Sequence, residues 1–151
     1  MLVGVISDTH NLLRPEAVAA LKDADHILHA GDVGEEEILV RLRHIAPITA
    51  IRGNIDHSGP CAQLPETEFV ELGGVNIYML HDRNALDLDP RAAGIAAVVS
   101  GHSHQPLIER VKDVLYFNPG SAGPRRFSLP VSVGFLEIRN GKIEPRLVML
   151  G

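Results

Sequence analysis

Seven side chains in this sequence could bind metal ions, and they are spread over almost the whole chain. They are Asp8, His10, Asp32, Asn54, His81, His102 and His104. This mixture of carboxylate oxygen, amide oxygen and imidazole nitrogen, without a thiolate, suits Mn²⁺, Fe²⁺, Zn²⁺ or Co²⁺ and argues against a structural zinc finger. Seven ligands are too many for one tetrahedral ion but fit two ions that share a carboxylate. Asp32 is the candidate bridge.

These residues share a position, because each set follows directly on a short apolar stretch of strand length. The stretches are residues 3–7, 26–31, 48–53, 75–80 and 96–101. Strands of an open α/β sheet share one carboxyl edge, so residues just beyond that edge converge on one crevice. A single His could be a hydrogen-bonded core residue, which is the preferred interpretation of His26, His29 and His44, and a single Asp or Asn could cap a turn. Because the same position recurs at five strand ends, we favour metal binding for all seven candidate ligands.

The first third of the chain alternates strands with helices. Pro15–Lys22 has Pro at a plausible first helical position and apolar residues at helical spacing. Glu35–His44 begins with acidic residues and ends with basic ones, as the helix dipole favours. With strands at residues 2–7, 26–30 and 48–51, this order predicts a parallel sheet with right-handed crossovers.

The rest of the chain is typical of hairpins. Thr67–Leu72 and Val75–Leu80 flank Gly73-Gly74, a two-residue turn signal. Residues 89–94 form a short helical candidate, and strands are expected at 95–100, 107–111, 114–117, 131–138 and, after Asn140-Gly141, 142–149. The hairpins suggest a second sheet stacked on the first, in a layered α/β sandwich.

Composition limits the function classes. The 151 residues, 45% of them hydrophobic, fit a single domain over 1–151. No secretory signal or run of about 20 apolar residues is visible, and Cys61 is the only cysteine, so we expect a cytoplasmic location and no membrane association. The net charge of −5 argues against a nucleic-acid partner, although not against a small phosphate ester, since bound metal ions supply local positive charge.

The ordered motifs carry a family resemblance. They are Ser7-Asp8-Thr9-His10, Gly31-Asp32, Gly53-Asn54-Ile55-Asp56, the lone His81, Gly101-His102-Ser103-His104 and Asn118-Pro119-Gly120-Ser121. The set resembles the calcineurin-like metallophosphoesterases, and the specific residues within the motifs are similar to those of the small YfcE-like phosphodiesterase branch. The resemblance implies an α/β fold, a layered α/β/β/α sandwich of two stacked mixed sheets flanked by helices.

The resemblance also implies a site and a reaction. Asp8, His10, Asp32 and His104 would hold one ion, and Asp32, Asn54, His81 and His102 the second. Mn²⁺ is the preferred metal, with Fe²⁺, Zn²⁺, Co²⁺ or Ni²⁺ as alternatives. A metal-bridging hydroxide would attack phosphorus in line. The catalytic residues would be Asp32, Asn54 and His81.

Several positions depart from the family pattern or are ambiguous. Larger members have a His near the leaving group after the Gly-Asn pair, where this chain has Ile55, so the general acid is unassigned. His57 could replace it, although a solvent-exposed loop His is the preferred interpretation. Arg83, after His81-Asp82, and Arg125, beside Arg126, could each reach a phosphate. Residues 118–121 are interpreted as a structural turn in preference to a substrate contact.

Three functions remain open. The first is a binuclear phosphodiesterase that could also act on phosphomonoesters. The second is a non-catalytic or weakly active metal-binding scaffold for protein–protein interaction, as the retromer subunit of this fold is. The third is a nuclease, which the acidic charge disfavours. The complete ligand set favours the enzyme and a small phosphate ester as its partner, while self-association through an apolar strand of the hairpin region stays open.

Overall fold

Two five-stranded sheets pack face to face in the computed structural model, which describes residues 1–150. The strands are β1 (Leu2–Ile6), β2 (His26–His29), β3 (Ile48–Ala50), β4 (Thr67–Leu72), β5 (Val75–Leu80), β6 (Ala97–Val99), β7 (Leu107–Val111), β8 (Val114–Asn118), β9 (Ser132–Arg139) and β10 (Lys142–Met149). The α-helices are α1 (Pro15–Leu21) and α2 (Glu36–Arg43), and Pro60–Gln63 and Arg83–Ala85 form 3₁₀ turns. Neither α-helix of the described chain is long and apolar enough to cross a membrane.

Both sheets are mixed. The first has the order β10-β9-β1-β2-β3, in which β1, β2 and β3 are parallel and the other pairs antiparallel. The second has the order β4-β5-β6-β8-β7, in which β5, β6 and β8 are parallel. The Gly73-Gly74 and Asn140-Gly141 turns have positive φ at both central residues, the backbone of the predicted tight hairpins. The predicted layered sandwich is confirmed.

The layers follow from the alternation of buried side chains along each strand. Val5, Leu28 and Met79 belong to the core between the two sheets. Ile6, Ile27 and Phe135 face the other way and pack against Leu21 of α1 and the apolar side of α2. Pro15 begins α1 at a position where its missing N–H costs no helical hydrogen bond. The two helices therefore cover the outer face of the first sheet.

The outer face of the second sheet is covered differently from the prediction. Residues 89–94 form hydrogen-bonded turns, not the expected short helix, so that expectation was wrong. The Asp89 side chain accepts the N–H groups of Arg91 and Ala92, and Gly94, with φ of 74°, ends the single turn. A segment this short cannot recover the cost of starting a helix. On the edge strand β4 of this sheet, Phe69 is half exposed, and self-association there stays a prediction.

Candidate metal centre

The candidate ligands of the first sheet lie in two loops that continue the pairing of β1 with β2. Beyond the last paired strand residues, the Asp8 N–H donates to the Gly31 carbonyl and the His10 N–H to the Asp32 carbonyl, both at 3.0 Å. The two loops therefore leave the sheet as one hydrogen-bonded unit. The candidate ligands in these loops are Asp8, His10 and Asp32. The carboxylates of Asp8 and Asp32 are both buried.

The second sheet supplies the histidines that follow β5 and β6. The Gly101 N–H donates to the His81 carbonyl at 2.9 Å, which holds these two loops together. Two hydrogen bonds then join the sheets: the His102 N–H donates to Asp8 Oδ2 at 3.2 Å, and His81 Nδ1 donates to the Ala30 carbonyl at 2.7 Å. The second bond leaves His81 Nε2 to face the centre.

Backbone strain is concentrated on the candidate ligands. Asp8, His10, Asp32, His102 and His104 have φ values of 56°, 45°, 55°, 69° and 62°. Residues with a side chain seldom adopt this left-handed conformation, which costs about 1–3 kcal/mol each where the surroundings enforce it. Five of the seven candidates thus bear a cost that packing alone would not select. Such clustering is typical of a functional site.

Two glycines allow these loops to approach so closely. A Cβ on Gly53, just before Asn54, would overlap the Asp32 carboxylate, and a Cβ on Gly101 would overlap the Ser7 hydroxyl. Neither position requires a positive φ, so the need is for space. The glycines of the Gly53-Asn54 and Gly101-His102 motifs therefore let the strand ends converge.

Five of the seven candidate ligands converge on two neighbouring positions. One group is Asp8, His10 and His104, and the other is Asp8, Asp32 and His81, with ligand atoms in each group within 4.8 Å of one another. Asp32 Oδ2 lies 3.3 Å from both His10 Nε2 and His81 Nε2, which suits a bridging oxygen. Asp8 Oδ1 is equally central, at 3.5 Å from His104 Nε2 and 3.8 Å from His81 Nε2. The family resemblance implies that Asp8 holds one ion alone.

Asn54 completes the second group. One atom of its side-chain amide lies 3.2 and 3.3 Å from the Asp32 carboxylate oxygens and 3.1 Å from His81 Nε2. The carboxylate oxygens, and Nε2 of the neutral His81 ring, can each accept a hydrogen bond, so beside them this atom is either a nitrogen that donates or an oxygen that faces them across a cation. The second orientation is the one that a metal ion would select.

His102 is the candidate that stands apart. Its side chain is 46% exposed, its Nε2 lies 3.9 Å from Asp82 Oδ2, and its ring packs edge-on against His81 with centroids 5.2 Å apart. It belongs to neither of the two groups of ligand atoms found among residues 1–150. It lines, with Asn54 and His81, one end of an open cleft of about 500 Å³ that extends to Arg52 and Tyr78.

Three buried ligand atoms test whether metal ions fit this site. Asp8 Oδ1, His10 Nε2 and His104 Nδ1 have no hydrogen-bond partner within the described chain. An unsatisfied buried polar atom costs about 1–3 kcal/mol. Two of them, Asp8 Oδ1 and His10 Nε2, lie 3.9 Å apart in the centre and are therefore explained by a cation that they would share. The residues fit divalent metal ions.

Comparison with known proteins agrees with this chemistry. Residues 1–141 match the sequence profile of the calcineurin-like phosphoesterase superfamily domain. The chain belongs to that superfamily. It is 38% identical to a probable metallophosphoesterase of Methanothermobacter thermautotrophicus, over all of this chain and 94% of the relative. It is 25% identical to a phosphodiesterase of Methanocaldococcus jannaschii, over 91% of this chain and 93% of that one. The predicted family is confirmed.

Two solved structures with this fold have different names. An archaeal phosphodiesterase, 25% identical, superimposes with a TM-score of 0.83 over 99% of this chain and all of that chain. Vps29 of Entamoeba histolytica, crystallised with Zn²⁺ and also 25% identical, gives 0.75 over the whole of both chains. The superfamily to which this chain belongs is one of phosphoesterases.

The two carboxylates of this superfamily member have opposite electrostatic surroundings. Burial raises the pKa of Asp8 to about 6, because its effect is larger than the opposing effects of the nearby His81 and of the hydrogen bond from Ser7. Burial also opposes ionisation of Asp32, but hydrogen bonds from His81 and the Ile55 N–H, with the charges of His81 and His10, lower its pKa to about 2. Such pairs of unlike carboxylates are characteristic of active sites.

The histidines divide in the same way. Burial, followed by the positive charge of Arg126, lowers the pKa of His104 to about 4, and burial and Arg126 also lower that of His10. Burial would lower the pKa of His81 as well, but Asp32, the Ala30 carbonyl and Asp8 together raise it. His10 and His104 are thus neutral at pH 7, the form in which imidazole binds metal.

Sequence reasoning missed two buried residues that support the centre. Asp56 Oδ2 accepts the N–H groups of Val33 at 3.0 Å and Gly53 at 2.9 Å, and Asp56 Oδ1 accepts that of Gly34 at 3.0 Å. It ties the loop after β3 to the loop after β2. His29, interpreted from sequence as a core residue, also contacts both loops of the first sheet. The spacing of Asp56 two residues after Asn54 was the available signal.

The Asn118-Pro119-Gly120-Ser121 motif supports the same loops from the other side. Asn118 Nδ2 donates to the Gly101 carbonyl at 2.9 Å, and the Ser121 hydroxyl donates to the Asp8 carbonyl at 3.2 Å. These contacts are to backbone atoms of the ligand loops. They agree with a structural turn.

The candidate substrate contacts are not gathered in one place. His57 is exposed in the loop after Asn54, and Arg125 is exposed in the segment after Gly123. Arg83 donates to Glu109 at 2.8 Å and lies over the Tyr116 ring at 4.2 Å, so reaching a phosphate would require breaking both contacts. Arg126 is the arginine whose charge acts on His10 and His104.

Proposed function

We propose that residues 1–151 act as one domain that hydrolyses phosphodiesters with two divalent metal ions. The observation that carries the proposal is the pair of buried, unpartnered ligand atoms Asp8 Oδ1 and His10 Nε2, beside which His104 places its Nε2. Their desolvation is uncompensated in the protein alone and would be compensated by cations. The relative named a phosphodiesterase and the structural neighbour of the same name support the diester preference.

The proposed ligand sets share Asp32. Asp8, His10, Asp32 and His104 would hold one ion, and Asp32, Asn54, His81 and His102 the other. Mn²⁺ is our preferred metal, and Fe²⁺, Zn²⁺, Co²⁺ or Ni²⁺ would suit the same oxygen and nitrogen ligands. Two ions held there would neutralise the phosphate charge and lower the pKa of a bound water, so that hydroxide becomes available near neutral pH.

The protein itself would orient these groups. The hydrogen bond from His81 Nδ1 to the Ala30 carbonyl fixes the tautomer and the direction of Nε2. The Ile55 N–H donates to Asp32 Oδ1 at 3.1 Å, which restrains that carboxylate while Oδ2 faces the two histidines. Asn54 and His81, together with Asp32, are therefore the residues we assign to phosphate positioning in the reaction.

Substrate would enter through the cleft that Asn54, His81 and His102 line at one end. Its volume of about 500 Å³ suits one substituent of a small ester. Arg125 and Arg126 lie on a separate segment, and we assign phosphate attraction to Arg126 in preference to the paired Arg83. His57 is exposed and could approach a bound substituent.

The leaving group has no dedicated acid at position 55. Ile55 contributes only its backbone N–H to the centre and cannot transfer a proton. We therefore expect esters whose alcohol leaves readily, such as aryl esters, to be hydrolysed faster than alkyl esters. His57 is the side chain nearest in sequence that could supply a proton.

A metal-binding scaffold is the alternative. The likeness to Vps29 crystallised with Zn²⁺ means that metal binding alone does not distinguish the two functions. Turnover does. The test is hydrolysis of bis-p-nitrophenyl phosphate and p-nitrophenyl phosphate by metal-stripped protein resupplied with Mn²⁺, repeated for Asp32→Asn and His102→Ala.

We expect Mn²⁺-dependent release of nitrophenol, faster from the diester, and its loss in Asp32→Asn. Equal inertness of all three proteins, with Mn²⁺ bound to the unsubstituted chain, would reject the enzyme and leave the scaffold. Absence of any divalent metal binding would reject the site itself.

A further inference from the structure

His29 is a buried histidine outside the candidate ligand set, and both nitrogens of its ring are engaged. It ends β2, three residues before Asp32, and is fully buried. Its Nε2 lies 3.0 Å from the Thr9 hydroxyl, and its Nδ1 lies 3.1 Å from the Gly31 backbone nitrogen. Thr9 is between Asp8 and His10, and Gly31 precedes Asp32. One imidazole therefore touches both ligand loops of the first sheet.

The direction of these hydrogen bonds is fixed by their partners. The Gly31 N–H can only donate, so His29 Nδ1 must be the unprotonated acceptor. Nε2 then carries the ring hydrogen and donates to Thr9 Oγ1, whose own hydrogen goes to the Val33 carbonyl at 2.8 Å. Val33 follows Asp32. The chain of bonds thus passes from Gly31 through His29 and Thr9 to Val33 and encloses Asp32.

We infer that His29 is a positioning residue, which holds the Asp8–His10 loop at a fixed distance from Asp32 and thereby sets the affinity of the site for metal. The metal-binding part of this inference rests on the proposed function. The loops it joins contain Asp8, His10 and Asp32, all in the left-handed conformation. Such residues keep their geometry only where neighbours enforce it. His29 and Thr9 provide that restraint without contacting substrate.

The same strand offers a matched control. His26, at the other end of β2, makes a similar bond: its Nε2 lies 2.8 Å from the Thr49 hydroxyl. It is partly buried, and Thr49 belongs to β3 instead of a ligand loop. Replacing His26 therefore removes a histidine–threonine hydrogen bond from the same sheet without touching residues 8–10 or 31–33.

Two substitutions can separate the bonds of His29. The amide nitrogen of Gln falls near the position of Nε2, so His29→Gln keeps a donor for Thr9 and loses the acceptor for Gly31. The amide oxygen of Asn falls near Nδ1, so His29→Asn keeps the Gly31 bond and loses that to Thr9. Thr9→Val removes the Thr9 bond from the other side. His26→Asn, which loses the Nε2 bond to Thr49, is the control.

The first readout is amide hydrogen exchange in the metal-free proteins. We expect the N–H groups of Asp8 and His10, which donate to Gly31 and Asp32, to exchange about tenfold faster in His29→Asn and in Thr9→Val. The double variant should exchange no faster than Thr9→Val, because Thr9→Val already removes the bond to His29 together with the bond to Val33. His26→Asn should leave these amides unchanged.

The second readout is Mn²⁺ affinity by calorimetry. We expect a loss of about tenfold or more in His29→Asn and His29→Gln, the effect of removing a hydrogen-bonded support of a ligand. His26→Asn should bind as the unsubstituted chain does. Unchanged exchange at Asp8 and His10, or unchanged Mn²⁺ affinity, in the His29 variants would overturn the positioning role. Faster exchange and weaker affinity in those variants, with no ester hydrolysis by the unsubstituted protein, would overturn the proposed enzyme and leave this inference standing.

Discussion

The two sheets contribute to the candidate metal centre in different ways. The first sheet supplies Asp8 and Asp32, both buried, in loops joined by backbone hydrogen bonds and by Asp56. The second sheet supplies imidazoles, and its outermost member, His102, is 46% exposed beside an open cleft. The charged oxygens are therefore held rigidly in the interior, and the side toward solvent is lined by histidine.

This difference has an electrostatic reason. Buried carboxylates are costly, so they are tolerated only where hydrogen bonds or cations compensate them. The loops of the first sheet provide such compensation through N–H groups, whereas the second sheet supplies His81 and His104 as buried imidazoles and His102 as an exposed one. We infer that the first sheet determines whether metal is held, and that the second determines what reaches it.

The largest expected effect is on activity and separates the two sheets directly. Asp8→Asn should lower kcat/KM for bis-p-nitrophenyl phosphate by about 10³-fold, because several kcal/mol of charge stabilisation depend on the ions it would hold. His102→Gln should lower it by only about 10- to 100-fold, since the buried groups remain complete. Kinetics at saturating Mn²⁺ measure both. Equal losses would contradict the division between the sheets.

The second prediction concerns the support of the first sheet. Asp56→Ala should lower the free energy of unfolding by about 3 kcal/mol, because three backbone N–H groups lose their acceptor in a buried place. Denaturant unfolding of the metal-free protein measures it. The control is Asp89→Ala, whose exposed carboxylate also accepts backbone N–H groups but lies in a turn on the second sheet. We expect Asp89→Ala to cost less than about 1 kcal/mol.

The third prediction uses the unlike carboxylates within the first sheet. Asp8 has its pKa raised from 3.8 to about 6, so the stability it contributes is complete below pH 3.8 and is lost as pH rises to 6. Metal-free Asp8→Asn should therefore be more stable than the unsubstituted protein at pH 7, by up to about 3 kcal/mol, and equal to it near pH 3.8.

Asp32 should behave in the opposite way. Its pKa is lowered from 3.8 to about 2, so its contribution is present above pH 3.8 and is lost as pH falls through 2. Asp32→Asn should be less stable than the unsubstituted protein at pH 7. Thermal unfolding between pH 3 and 8 measures both variants. Destabilisation of both at pH 7 would mean that burial does not dominate at Asp8.

The convergence of the ligands could be predicted from the sequence because apolar stretches of strand length mark where the β-strands end. Asp8, Asp32 and His81 each follow an apolar stretch, and parallel strands bring such ends together. The pair of sheets was equally accessible from the Gly73-Gly74 and Asn140-Gly141 turns. These features depend on local patterns of residues, and the structure agrees with them.

Features that depend on three-dimensional neighbours could not be predicted. Nothing in the sequence distinguishes His29 from His26, since both lie in one apolar strand, and only the fold brings Thr9 to the first and Thr49 to the second. The opposite pKa shifts of Asp8 and Asp32 likewise depend on burial and on the N–H groups that face each carboxylate. The turn at residues 89–94 is capped by Asp89 but ends after a single turn at Gly94, so it is shorter than the helix expected.

The smallest expected effect concerns the arginines on either side of the centre. Arg126→Gln should raise KM for bis-p-nitrophenyl phosphate about three- to tenfold with little change in kcat, because its charge acts beside His10 and His104. Arg83→Gln should change KM less than twofold, because its guanidinium is paired with Glu109 and contributes an exposed ion pair of small worth.

Ionic strength distinguishes attraction from loss of structure. If Arg126 attracts the anionic ester through its charge, the difference in KM between Arg126→Gln and the unsubstituted protein should shrink as the salt concentration is raised from about 0.05 M to about 0.5 M. At the higher concentration screening is strong. A difference that persists at high salt would indicate a direct hydrogen bond to the phosphate. A larger effect of Arg83→Gln than of Arg126→Gln would assign the attraction of the phosphate to Arg83 instead.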